Sequence, residues 1–285
     1  MMAVAGSGTQ ADPYIAQNYT DLQEAYSLLA SGGGTKYLEL GSDIDCNDYG
    51  SSFTWSALSV GYLDRAMIFD LKGHTIKNLS IASGSTVFTF GGSNQSVVKN
   101  GKILNVFMSN AKGFNDYVGG LYTCGKLQNL SVSANVTGAT SNIFNVAMDS
   151  CALYAEGSIS NKLIQLQNNI NEKCINSDIL LDIDSCSNVF IGLSDKVVSN
   201  CRIRGKANIT DTGLSNMYPA FENCVFDLET NATHISNYGS GSASGVINTD
   251  KYHGVLEGLI GVTSAEIING DSLRAKGFVV VNVSA

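Results

Sequence analysis

The chain has 285 residues, 44% of them hydrophobic, with 30 glycines and only 2 prolines, a balance that suits one large domain with many turns between regular strands. A formal net charge of −8 argues against nucleic acid or an anionic membrane as partner, because both require a basic face. No apolar run approaches the roughly 18 residues of a membrane span, and the opening "MMAVAGSGTQADPY" lacks the cationic segment and apolar core of a secretory signal.

The first predicted element is a helix over 20–31, "TDLQEAYSLLAS". Asp21 with Glu24 three places later forms a capping box, and Leu22, Ala25, Tyr26 and Leu29 make an apolar stripe that can sit over the first coil of a β region. "SGGG" ends the helix and "KYLELGSDID" begins that region. Residues 46–66 fit no repeat and read as an excursion. The organisation expected is an N-terminal segment with its cap helix (1–35), a β region (36–240), and last coils with a β tail (241–285), all one continuous domain.

From residue 73 onward an asparagine returns in one setting, as in "GHTIKNLSI", "LQNLSV", "VSNCRI" and "FENCVF". Turn positions fall at Asn78, Asn100, Asn129, Ser150, Asn176, Asn200, Asn223, Asn248 and Asn269, at intervals of 22, 29, 21, 26, 24, 23, 25 and 21 residues. The residue two places before each is apolar, from Ile76 and Val98 to Val246 and Ile267. Three places after stand Ile81, Ile103, Val132, Leu153, Ile179, Ile203 and Phe226, with breaks at Lys251 and Ser272. A fixed period of this length signals a stacked architecture. Alternating apolar residues, as in "VSNCRIRGKANI", indicate strands. A leucine-rich repeat would place its Leu-x-x-Leu-x-Leu run before the asparagine, which is not the pattern here.

The expectation is therefore an all-β, single-stranded right-handed parallel β-helix of about nine to ten coils with an N-terminal capping helix. At about 4.8 Å per coil, nine coils make a rod of roughly 40–45 Å. Asparagine tolerates the left-handed backbone of a tight corner. In a stack, each amide can donate to the next coil and accept from the previous one. Cys151, Cys201 and Cys224 directly follow turn residues and read as small interior residues. The odd total of seven cysteines, without CxxC spacing, points to free thiols and a cytosolic site of synthesis.

"GSGTQADPYIAQNYTDLQEA" followed by "KYLELGSDID" resembles the opening of β-helical proteins of bacterial surfaces and bacteriophages, in which G-S-G-T-x-x-D-P-Y precedes a cap helix. "FDLKGHTIKNLSI" is similar to the next coil in those proteins, and "VGGLYTCGKLQNLSVSANVTG" (118–138) to the GLUG-type repeat of adhesins. The resemblance covers residues 5–138 and implies a pectate-lyase-like fold, which carries lyases, hydrolases, adhesins and phage spikes alike. It implies a virion location, with partners among other virion proteins, further copies of the chain (a homotrimer by analogy) and host surface polysaccharide.

Chemistry is sparse. The polygalacturonase route needs paired carboxylates, and that family carries the motifs N-T-D, D-D, G-H-G and R-I-K in that order. Here "NTD" (248–250) follows "RIRGK" (202–206), D-D is missing, and only "GHT" (73–75) and "HG" (253–254) stand for G-H-G. Asp182 and Asp184 share one strand face and could pair across coils with Asp178 or Glu156; ordinary exposed carboxylates are the alternative. Asp43, Asp45 and Asp48 could hold a Ca²⁺ through oxygen ligands, or be a solvated turn; no other cofactor is expected. Residues just before the turns should point outward, and Ile175, Ile247 and Ile268 among them suggest a contact surface. The function expected is a structural, host-attaching component of a bacteriophage particle. A polysaccharide-degrading tailspike-like enzyme and a bacterial surface adhesin are the alternatives.

Overall fold

Period-two alternation becomes a wall with one face inward. In Arg202–Ile209, Ile203, Ala207 and Ile209 are buried, whereas Arg202, Arg204 and Lys206 reach outward. The computed structural model describes residues 4–29, 34–56, 58–60, 66–90, 96–111, 113–115, 117–118, 121–122, 125–139, 143–166, 173–192, 197–216, 220–236, 243–256 and 258–268. These form an all-β, right-handed parallel β-solenoid of about 7 turns with a small helix at the N-terminal end.

Each coil carries three walls. A short strand leads into a corner, a long strand leaves it, and a third strand closes the coil. The third strands, from Leu58–Val60 to His234–Ser236, form their own eight-stranded sheet. Pairing between coils is parallel throughout these walls, so like residues stack. Phe69, Val98, Leu127, Met148, Cys174, Val198 and Phe221 form one buried column before the corner. Ile76, Ile103, Val132, Leu153, Ile179, Ile203, Phe226 and Ile247 form another after it. Phe88, Phe114, Phe144, Ile164 and Phe190 stack on the third wall.

These columns correct the coil count and two of the turn positions. Asn100, Asn129, Ser150, Asn176, Asn200 and Asn223 share the corner column, each with positive φ. Asn78 also has a positive φ, of 60°, but Ile76 pairs with Ile103, so Asn78 stacks on Asn105 within the long wall. Asn248 ends the strand Ala243–Asn248, with no left-handed backbone. Its coil turns earlier, near Ser244, whose hydroxyl accepts from the Asn223 amide N–H at 3.0 Å. Equal spacing merges three kinds of position into one series, although each still falls in its own coil, and the solenoid has about 7 turns rather than nine to ten. Asn269 lies outside the described residues.

The amides run opposite to the expected direction, each donating to the preceding coil. Asn223 donates to Asn200 (2.9 Å), Asn200 to Asn176 (3.3 Å) and Asn176 to Asp149 (3.5 Å). Asn129 donates to Asn100 (3.1 Å) and Asn100 to Asp70 (3.0 Å); Asn105 donates to Asn78 (3.0 Å) and Asn78 to Asp45 (2.7 Å). All three chains end on a carboxylate. An aligned file of amides presents its last N–H as a donor, and an ionised acceptor makes the stronger bond. At Ser150 the side chain is too short to continue the file. It donates instead to Asp149 (3.0 Å), which receives Asn176 as well.

The cysteines after the corner are donors, not merely small fillers. Cys151 Sγ donates to Leu127 O (3.4 Å), Cys201 to Cys174 O (3.3 Å) and Cys224 to Val198 O (3.3 Å). Each thiol thus reaches a carbonyl one coil back that the corner leaves available. All six described cysteines are free and buried; Cys124 lies outside the described residues.

The helix spans Tyr19–Leu29, with Leu22 and Ala25 fully buried over the first coil. Its cap sits earlier in the chain than the sequence suggested. Asn18 Oδ1 accepts from the Asp21 N–H (3.0 Å), and Asp21 Oδ2 accepts from the Gln17 N–H (3.0 Å). Asn18 is the cap, and Asp21, whose Oδ2 also accepts from Asn18 Nδ2 (3.1 Å), braces it in place of an Asp21–Glu24 box. The stretch 46–66 is partly solenoid: Trp55 pairs with Ile81, its indole donates to Val87 O (3.0 Å), and Leu58–Val60 joins the third wall.

Candidate functional site

The long wall presents two outward rows, because every second residue of each strand faces solvent and parallel register stacks them. One row runs Ser80, Phe107, Asn135, Glu156, Asp182, Lys206 and Glu229. Beside it run Tyr154, Leu180, Arg204 and Asp227. Phe107 is 51% exposed, unusual for a phenylalanine in a regular strand. Asp182, Lys206 and Glu229 are exposed. Aromatic, amide, carboxylate and ammonium groups therefore succeed one another at coil spacing along one line.

Glu156 is the most constrained member. Tyr154 donates to its Oε2 (2.5 Å) and Asn135 Nδ2 to its Oε1 (2.7 Å). The Tyr154 and then the Asn135 hydrogen bond hold the Glu156 carboxyl below its ordinary range despite some desolvation, and the same Tyr154 bond pushes the phenol up to about 12. Glu156 is thus fixed as a carboxylate and Tyr154 as a phenol. Arg204 grips Asp178 through Nε (2.9 Å) and Nη2 (2.8 Å), a two-toothed pair in which the Asp178 hydrogen bond raises the Arg204 pKa. Asp227 collects Lys251 (2.8 Å), Asn248 (2.8 Å) and Arg202 (3.4 Å).

Asp182 stands in the row directly between Glu156 and Lys206, so the cross-coil pairing is with Glu156. Asp184 is exposed but falls in a register shift between Ile183 and Cys186, off the row. Asp178 is buried in its Arg204 pair and does not join Asp182. The calcium candidates do not converge. Asp43 accepts from the Thr75 N–H (2.9 Å) and contacts His74 (3.1 Å), whereas Asp45 takes Asn78, the Asn47 N–H and Lys77. Asp48 sits in a short 3₁₀ turn, Cys46–Tyr49. Among the described residues no group of three His, Cys, Asp or Glu side chains could hold a metal ion.

The proposed contact isoleucines also move. Ile247 is 2% exposed and belongs to the inward column after the corner, because its coil turns earlier than the repeat implies. Ile175 is half-buried at a strand end. Ile268 is the last residue of a short helix, Ser264–Ile268. Lys251, read as a broken inward position, instead reaches Asp227. Sequence reasoning does not single out Phe107, Asn135, Tyr154 or Lys206, although alternation places them outward. Only the register between coils, which a single sequence does not reveal, lines them up.

Two carboxylates that accept asparagine amides, Asp149 and Asp227, predict an acid-sensitive stack. Burial raises the Asp149 pKa, but Lys126, Ser150 and Asn176 more than offset it and the net shift is downward. Asp227 is likewise lowered by Lys251, Asn248 and Arg202 against its desolvation. A depressed folded-state pKa contributes stability above the unfolded value, about 3.9, and loses it as pH falls through the folded value. The urea midpoint should hold near pH 6 and fall below about pH 4. Replacing Asp149 with Asn should lower the midpoint at neutral pH and make its acid slope shallower; an unchanged slope would show that Asp149 is not one of the groups responsible.

No family model matches the chain, and no curated protein matches it. Among solved structures it is similar to a Bacteroides ovatus protein described as a putative immunoglobulin A1 protease. The TM-score is 0.53 at 18% identity, over 95% of this chain and 89% of that one. A likeness at this identity defines the architecture the two share, a parallel β-solenoid, and leaves activity to be argued from the site.

Proposed function

We propose that the chain is a non-catalytic attachment module, a structural component of a bacteriophage particle that lays its long wall against host surface polysaccharide. The observation that carries this reading is the row Phe107–Asn135–Glu156–Asp182–Lys206, which offers a ring for the apolar side of a sugar and spaced polar groups for its hydroxyls. The virion location and the pectate-lyase-like subtype draw their support from the "GSGTQADPY" opening and its cap helix. Self-association near the C-terminal end is supported by Val255, Leu256 and Ile260, which are exposed there.

Catalysis is disfavoured on chemical grounds. A glycosidase needs one carboxyl raised to act as general acid beside one that stays ionised. Glu156, the carboxyl paired with Asp182 across coils, is held ionised by Tyr154 and Asn135 and so cannot be the general acid of such a pair. Incubation with capsular and wall polysaccharides should give saturable binding without new reducing ends or unsaturated products. Product release that disappears in Asp182→Asn would establish the depolymerase instead. Binding confined to host tissue glycans, with none to bacterial ones, would favour a bacterial adhesin.

A further inference from the structure

Three thiols meet in the middle of the solenoid, and they are not equivalent. Cys201 and Cys224 occupy the position after the corner in successive coils, with their side chains parallel. Cys174 comes from the column before the corner, so it approaches Cys201 from the side, Sγ to Sγ 3.8 Å. The S–H of Cys201 is taken by backbone carbonyls, Cys174 O and Ser199 O, both at 3.3 Å. Its sulfur also lies against that of Cys174, where either thiol can donate. Cys224 is turned to Val198 O and Glu222 O. Converging side chains suit a disulfide, and parallel ones do not.

We propose that Cys174 and Cys201 are a latent disulfide pair, closed by a low-molecular-weight disulfide to clamp two adjacent coils. One cysteine, as thiolate, attacks the small disulfide and releases one small thiol. The second cysteine, also deprotonated, displaces the other small thiol from the mixed disulfide, so that one Sγ–Sγ bond forms as one small S–S bond is reduced. Closure brings the two sulfurs from contact to about 2.05 Å. Both cysteines are fully or almost fully buried, so the reagent must enter through local opening of the coil, and the rate tracks that opening. The loop closed, 27 residues along the chain, is long enough for the cross-link to stabilise the solenoid. This clamp does not depend on what the long wall binds.

The test uses the full chain, reduced, freed of reductant and exposed to excess oxidised glutathione, with and without urea below the unfolding transition. Thiols are then blocked and the unreduced digest mapped by mass spectrometry. The expected product joins the peptides containing Cys174 and Cys201, forms faster in mild urea, and raises Tm by about 5–10 °C until dithiothreitol reverses it. Cys174→Ala should lose both the cross-link and the Tm rise, whereas Cys224→Ala should keep both. A dominant link between Cys201 and Cys224, or unlinked Cys174 after oxidation in urea, would overturn the proposal.

Discussion

Phe114→Ala should cost about 3–5 kcal/mol, the range for truncating a fully buried aromatic. Phe114 is 0% exposed, and its ring lies 5.2 Å from Phe144, at 10° between planes, and 6.0 Å from Phe88. The parallel register fixes both neighbours on the same wall, so the cavity cannot close by sliding one strand without shifting its whole coil. Chemical denaturation compared with Phe107→Ala provides the check. Phe107 is exposed on the outer face, so its loss should change stability by about 0.5 kcal/mol or less. Similar losses for the two would mean that the walls are assigned the wrong way round.

Asn200→Ala should come next. Asn200 has an amide neighbour on both sides, accepting from Asn223 and donating to Asn176. Removing it takes the acceptor from Asn223 Nδ2 and the donor from Asn176 Oδ1, about 1–3 kcal/mol, and places alanine at φ 52°, about 1 kcal/mol more. Asn200→Gly relieves the backbone part only, so the difference between the two variants isolates it. Asn223 is the last member of its file. Its amide donates to Asn200 and no asparagine of the next coil occupies the corner, so Asn223→Ala should cost less than Asn200→Ala. The reverse order in thermal melts would contradict this direction of the file.

The stacked β architecture was legible because it rests on local rules: period two for walls, left-handed asparagine for corners, and an amphipathic helix for the end. What failed depended on phase between coils. Asn78 and Asn248 look like Asn100 over a window of six residues, yet one stacks within the long wall and the other ends a strand, bonded to Ser264 and Asp227. Mistaking Asn248 for a corner also sent Ile247 outward and Lys251 inward, so one phase error produced two wrong side-chain directions. The candidate site was half legible for the same reason. Asp182 is visible as an exposed carboxylate in "LLDIDSC", but its neighbours Glu156 and Lys206 lie 26 residues before and 24 after it, and only strand register joins them.

The function rests on the long wall being the surface that meets polysaccharide. Its most direct test is a set of binding isotherms on one bacterial surface polysaccharide for the unaltered protein, Phe107→Ala, Lys206→Ala and Lys162→Ala. The first two substitutions lie on the outward row of the long wall, whereas Lys162 begins a strand of the third wall, Lys162–Leu166. Loss of about tenfold in affinity for Phe107→Ala and a smaller loss for Lys206→Ala, with Lys162→Ala unchanged, is the result expected, tenfold being about 1.4 kcal/mol. Unchanged affinity in both row variants, with all four proteins equally folded, would contradict it.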